Sequence, residues 1–191
     1  MSWKPWRLSR PLHPHEAGEA RAAFGESLDY GKVRVFRRSP LGWGASRAIG
    51  NTIHMQSRHF HPGTFEFTPA GMQTVVHELA HVWQYQNGGW AYLFACLWTY
   101  VKFQVKAGSW REAYYWRQIC EDGVDFADWN PEQQAQAIGD FFQANRAEPG
   151  MGHTFAESRT LHLMGPLIPR IQQGDGAPTF LRKKRVPAET T

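Results

Sequence analysis

His77, Glu78 and His81 are the residues of this chain whose types and spacing most directly suggest chemistry. They stand in Thr74-Val-Val-His-Glu-Leu-Ala-His-Val-Trp-Gln84, an H-E-x-x-H pattern. On a helix, residues four apart lie one above the other, so the two imidazoles address one point in space. That is half of a zinc site. Glu78 follows His77 by one residue, about 100° of helical turn, which sets its carboxylate beside such an ion, where it can take a proton from water. The pattern therefore supplies two ligands and a general base. Val75, Val76, Leu79, Ala80, Val82 and Trp83 make the stretch apolar nearly all round, as a buried helix is. Burying two imidazoles and a carboxylate there is costly unless something pairs them. A metal ion is the simplest partner, and a set of hydrogen-bonded core histidines is the alternative.

A tetrahedral catalytic zinc takes a third protein ligand and leaves its fourth position to water. The metzincin extension requires glycine at position 84 and histidine at 87, where this chain has Gln84 and Asn87, so that class is excluded. Glu132, in Asn130-Pro-Glu-Gln-Gln-Ala-Gln-Ala-Ile-Gly139, is the leading candidate. Asn130 suits an N-cap, Pro131 the first helical position and Gln133 the capping-box position, so a helix is predicted to begin here. Ala135 and Gly139 are small and would let that helix lie close against another. A first-turn glutamate favouring the helix dipole is the structural alternative. Asp125, Asp128, Glu121, His153 and Glu157 are further candidates for the third ligand. His54, His59 and His61 show no ligand spacing and read as polar loop histidines. His153, Tyr114, Tyr115 and Tyr85 are equal rivals for hydrogen-bonding a developing oxyanion.

The elements that must position these groups can be placed coarsely. Residues 1–14, with three prolines and two tryptophans, read as an extended arm. Residues 15–28 read as a helix stopped near Gly25. Strands are expected over 32–36 and 50–55, with a short third over 65–67. The motif helix spans 68–86 and closes at Asn87-Gly-Gly89. A second helix follows over 90–106, rich in Trp90, Tyr92, Phe94, Trp98, Tyr100 and Phe103, most of them expected in the core. Its apolar run of some twelve residues before Lys102 is too short to span a bilayer and reads as a buried or interfacial helix. Helices are also expected over 110–119 and 154–164, with an acidic loop over 121–129. A small sheet before a mainly helical remainder is an α+β layout, in which Ile53–Met55 is one candidate for an exposed edge strand.

Composition bounds the rest. A chain of 191 residues with 42% hydrophobic content is long enough for one cored domain, expected over 15–171. Lys and Arg number 21 against 17 Asp and Glu, but four of the cations form the run Arg182-Lys-Lys-Arg185. The remainder is balanced, so no basic face for nucleic acid is evident. Residues 172–191, with Gly174, Gly176 and Pro178 before that run, read as a flexible basic tail. Cys96 and Cys120 lack C-x-x-C spacing and read as core thiols. The N-terminus leads into no apolar segment of the kind a signal peptide carries, so the chain is expected to be cytoplasmic as synthesised.

His77-Glu-Leu-Ala-His81 together with Glu132-Gln-Gln-Ala135 resembles the gluzincin arrangement, in which an E-x-x-A glutamate on a later helix completes the zinc site. With residues 28–35 and Asn130-Pro-Glu-Gln-Gln-Ala135, the chain is more closely similar to the metallopeptidase domain of bacterial Vgr-related proteins, itself like the zincin core of extracellular contractile injection and Rhs-type toxin loci. The resemblance covers roughly residues 11–145. It implies a minimal gluzincin fold, Zn2+ held by His77, His81 and Glu132, Glu78 as general base, a peptide or protein substrate, and export by, or assembly with, a specialised bacterial secretion system. Gluzincins often carry aspartate four residues after the ligand glutamate, where this chain has Gln136. Two other readings stand beside hydrolysis of ordinary peptides: a catalytically silent zincin-fold binding module, and an amidase or endopeptidase acting on cell-wall peptides.

Overall fold

The computed structural model describes residues 9–37, 39–42, 44–107, 113–146 and 153–179, without the side chains of Tyr100 and of residues 102–107. Its four strands are β1 (Ser9–Pro11), β2 (Arg34–Arg37), β3 (Arg47–Ile49) and β4 (Thr52–Met55), and its helices are α1 (Pro14–Phe24), α2 (Pro69–Gly88), α3 (Ala91–Ala107), α4 (Arg117–Glu121), α5 (Pro131–Asn145), α6 (Phe155–Met164) and α7 (Ile168–Gln172). A small N-terminal sheet beside a mainly helical remainder is an α+β fold.

The sheet runs β1-β2-β4-β3. β2 and β4 pair in parallel at its centre, with β1 antiparallel on one side and β3 antiparallel on the other. β4, which holds Ile53–Met55, is therefore internal, and the edge facing the helices is β3. Two strands escape the sequence pattern because they are only three residues long, too short for alternation to register. One of them, β1, belongs to the segment expected to be an extended arm. It is fastened further by Arg10, whose guanidinium donates to both carboxylate oxygens of Glu16 at 2.7 and 2.5 Å and to the Phe65 carbonyl. The strand expected over residues 65–67 is reduced to a single bridge between Phe60 and Phe67.

α2 is the central element. Thr68 caps it by accepting from the Gly71 amide at 2.9 Å, Pro69 takes the first position, and Gly89, at φ 68°, closes it. Val75, Val76, Leu79, Ala80, Val82 and Trp83 are all fully buried, packing α2 between the sheet and α5 as its all-round apolar character requires. Gly71 is needed for close approach: a Cβ there would lie 2.0 Å from the His59 carbonyl oxygen. α5 begins as predicted, with a capping box in which Asn130 accepts from the Gln133 amide at 2.9 Å and Gln133 accepts from that of Asn130 at 3.1 Å. Thr154 and Glu157 build the same device at the start of α6.

Three expectations are corrected. The helix expected over 110–119 falls partly outside the described residues, and the helical segment that follows is the shorter α4, from Arg117. Tyr92 on α3 is core, but Trp90, just before the helix, and Phe94 and Trp98 on it are exposed, because one face of this helix meets α2 and α5 while the other faces outward. The segment expected to be a flexible tail from residue 172 begins packed: Ala177 is buried, and the Gly176 carbonyl accepts from the Gln134 side chain at 2.8 Å. The run 182–185 lies outside the described residues.

Candidate metal centre

Two helices far apart in sequence converge at the site. α2 presents His77 and His81 on one face, and the first turn of α5 presents Glu132. Glu132 Oε2 is 3.5 Å from His77 Nε2 and 3.5 Å from His81 Nε2, and one donor atom from each residue lies within 4.8 Å of the other two. Ligands about 2.1 Å from a tetrahedral ion are separated from one another by about 3.4 Å. Charge-assisted hydrogen bonds, in contrast, draw the atoms to about 2.7–2.9 Å. The observed spacing fits donors arranged round an ion better than donors bonded to each other. The donor set, two imidazoles and a carboxylate, is one that zinc accepts.

Glu78 is buried beside this cluster, and its Oε2 has no hydrogen-bond partner. Burial pushes its pKa up, against the opposing pull of His77 and His81. For Glu132, burial also acts to raise the pKa, but His81 and His77 override it and hold the carboxylate well below its usual range. Burial acts to lower the pKa of His81, and Glu132 with Cys96 reverses that to a value well above the usual one. Together these shifts describe a cluster in which the charge of Glu132 is matched by the imidazoles inside the protein, with one carboxylate, Glu78, left over.

The orientation of His81 is set by amides that sequence reasoning passed over. Gln84 Nε2 donates to the Pro131 carbonyl at 3.0 Å and to Gln134 Oε1 at 2.9 Å, while Gln134 Nε2 donates to the carbonyls of Phe126 and Gly176, both at 2.8 Å. With both amide nitrogens committed as donors, Gln84 Oε1 is an acceptor, and it lies 2.8 Å from His81 Nδ1. Nδ1 therefore carries the proton, and Nε2 is the nitrogen directed at Glu132. The signal was available: position 84 is three residues beyond His81, on the same helical face. Gln136, in contrast, donates to Asp140 at 2.8 Å and supports no ligand. Gly139 lies against α2, but a methyl group there would make only ordinary contact, 3.7 Å from His77 Cβ.

The other candidates are placed elsewhere. Glu121 pairs with Arg159 and Asp125 with Arg170, Glu157 caps α6, and Asp128 and His153 are exposed. His54 is buried against Ser39 and Thr52, and His61 is exposed. Of the four residues considered for stabilising an oxyanion, Tyr114 stacks on His77 with ring centroids 6.0 Å apart and lines the adjoining cleft. Tyr115 is exposed, and Tyr85 packs on Trp90 and Tyr92.

Two clefts meet at the site. One, of about 580 Å³, is mainly apolar and lies between β3 and α3, with Ala48, Ile49, Leu93, Cys96, Leu97 and Tyr114 in its walls. Cys96 is thus not only a core thiol: it borders the cleft beside His81, and burial pushes its pKa up. The second cleft, of about 450 Å³, is more polar than the first, with Arg58, His59, Gln73, Thr74 and Gln136 in its walls. His77 and Glu78 border both.

The chain is similar to the Type VI secretion system spike protein VgrG2b of Pseudomonas aeruginosa, at 27% identity over 137 residues. The likeness is Vgr-related. It covers 70% of this chain but only 13% of the spike protein. No protein-family model matches the chain, and no solved structure matches it at a significant level.

Proposed function

We propose that this chain is a zinc-dependent peptidase of the gluzincin type. The observation that carries the reading is the arrangement of His77, His81 and Glu132 at ion-ligand spacing beside a buried carboxylate with an unpaired oxygen. His77, His81 and Glu132 would hold the ion. When bound, zinc polarises a peptide carbonyl and lowers the pKa of its water to about 7. Glu78 takes the proton from the attacking water and returns it to the leaving amine, and its upward-shifted pKa suits that exchange. Gln84 keeps His81 in the required tautomer. Tyr114, stacked on His77, is the residue nearest to hand for hydrogen-bonding the developing oxyanion. An extended substrate would cross from the polar cleft to the apolar one, passing β3, whose outer edge is open among the described strands.

The likeness to a spike protein of a secretion system supports a second element of the reading, that the domain works as part of, or as cargo of, such a machine. A catalytically silent docking module is the rival, and an endopeptidase or amidase of cell-wall peptides would share the same ion chemistry. One experiment separates catalysis from docking. Zinc content and digestion of a peptide library are measured for the wild type and for Glu78→Gln. The expected result is one zinc in both proteins and cleavage by the wild type alone, with a loss of about 100-fold or more in the variant. Equal cleavage by the two proteins, or wild-type protein that retains no zinc, would sink the reading.

A further inference from the structure

We propose that Arg58 receives a carboxylate of the peptide crossing the site, so that preferred substrates carry an acidic side chain or a free C-terminus on the side of the scissile bond lying in the more polar cleft. The proposal rests on the peptidase reading for what occupies the cleft, and it adds which peptides fit. Arg58 is an exposed residue of the short 3-10 turn Ser57–His59. It stands in the wall of this cleft, which His77 and Glu78 also border. Among the described residues of that wall it is the one side chain with a permanent positive charge.

The turn that carries Arg58 is fastened to the start of α2. The His59 carbonyl accepts from the Thr68 amide at 3.0 Å, in the space that Gly71 leaves by lacking a Cβ. Thr74 donates its hydroxyl hydrogen to the Ala70 carbonyl at 3.2 Å, so its oxygen is the acceptor for His59 Nδ1, 3.4 Å away. His59 Nε2 is then an acceptor in turn, and Arg58 Nε lies 3.5 Å from it. Burial and the neighbouring Arg58 push the pKa of His59 down, which keeps the ring neutral in this role. Both ring contacts are long, so they steer the guanidinium rather than lock it. Arg58 forms no ion pair among the described residues. Its two terminal nitrogens are therefore left for a ligand, and a planar fork of N–H donors matches a carboxylate. The other cleft is mainly apolar, and burying a carboxylate against such walls is costly. Arg47 also stands there, and it is the rival cation.

The test separates binding from cleavage. A mixed octapeptide pool, once with free C-termini and once amidated, is passed in the presence of zinc over the immobilised full chain carrying Glu78→Gln, and the retained peptides are identified by mass spectrometry. Asp and Glu, or the free-acid form over the amidated one, should be enriched about three- to tenfold, and less at high salt. Enrichment of Asp and Glu in the amidated pool assigns the carboxylate to a side chain, and enrichment confined to the free-acid pool assigns it to the C-terminus. Adding Arg58→Glu should abolish the enrichment and favour Lys and Arg instead. Retained peptides without acid enrichment, no retention at all, or an enrichment that survives Arg58→Glu and so belongs to another cation such as Arg47, each overturns the proposal. Digestion of the same pools by the wild type keeps the two readings apart. Cleavage with no preference for acids sinks the role of Arg58 alone, whereas acid-enriched binding without any cleavage sinks the peptidase reading and leaves carboxylate recognition standing.

Discussion

Gln84 donates twice through its amide nitrogen, and that pattern, rather than any property of the imidazole, determines which nitrogen of His81 faces Glu132. Supports of this kind typically contribute 10–100-fold in metal affinity. Replacing Gln84 by Leu should therefore weaken the proposed zinc binding by about that factor while leaving the three proposed ligands in place. Competition against a chromophoric chelator measures it, and an unchanged affinity would show that His81 is held by packing alone. Glu78 is the complementary case: it lies beside the proposed ligands without being one of them, so under the proposed function its replacement by Gln should spare metal affinity and remove turnover.

Positioning at the level of elements depends on two helix starts. α5 is placed by its capping box, which sets Glu132 in the first turn where its carboxylate meets α2. α2 is placed by the segment carrying His59, whose carbonyl lies against Gly71. A helical glycine changed to alanine ordinarily gains about 1 kcal/mol. Here the added methyl would be 2.0 Å from a backbone oxygen, so Gly71→Ala should destabilise by about 1–3 kcal/mol, as overpacking does. Thermal denaturation decides it, and a rise in Tm would refute the close contact. α3 shows the limit of pattern reading at this scale. Its aromatic residues announce a helix, but a periodic apolar stripe is the same whether it meets a core or a partner outside the chain.

For the molecule as a whole, the proposed ion ties α2 to α5 across about fifty residues of chain. An ion that binds only the folded state adds stability by mass action, about 2.7 kcal/mol at a hundredfold excess over its Kd. For a domain of this size that corresponds to a rise in Tm of roughly 5–10 °C. Zinc added to chelator-treated protein should produce this shift in the wild type and in Glu78→Gln, but little of it in His81→Ala. A shift that survived the loss of His81 would place the bound ion elsewhere. The packing of residues 173–179 belongs to this scale too. It supplies the Gly176 carbonyl to Gln134, and through Gln134 and Gln84 it reaches His81.

By itself the sequence determined the helix that carries His77, Glu78 and His81, the cap at Asn130 and the α+β layout. Each of these depends on spacing within one element, where backbone geometry alone sets which side chains share a face. Glu132 was legible only as the leading choice among several acids, because nothing local distinguishes a ligand from a glutamate that favours a helix dipole. Tertiary structure decided that Glu132 meets both imidazoles, that β3 and not β4 is the edge at the cleft, that Gln84 and Gln134 hold His81, and that much of α3 faces outward. All four depend on which segments meet in space, or fail to. They are set by how the core closes rather than by any period the chain carries along its length.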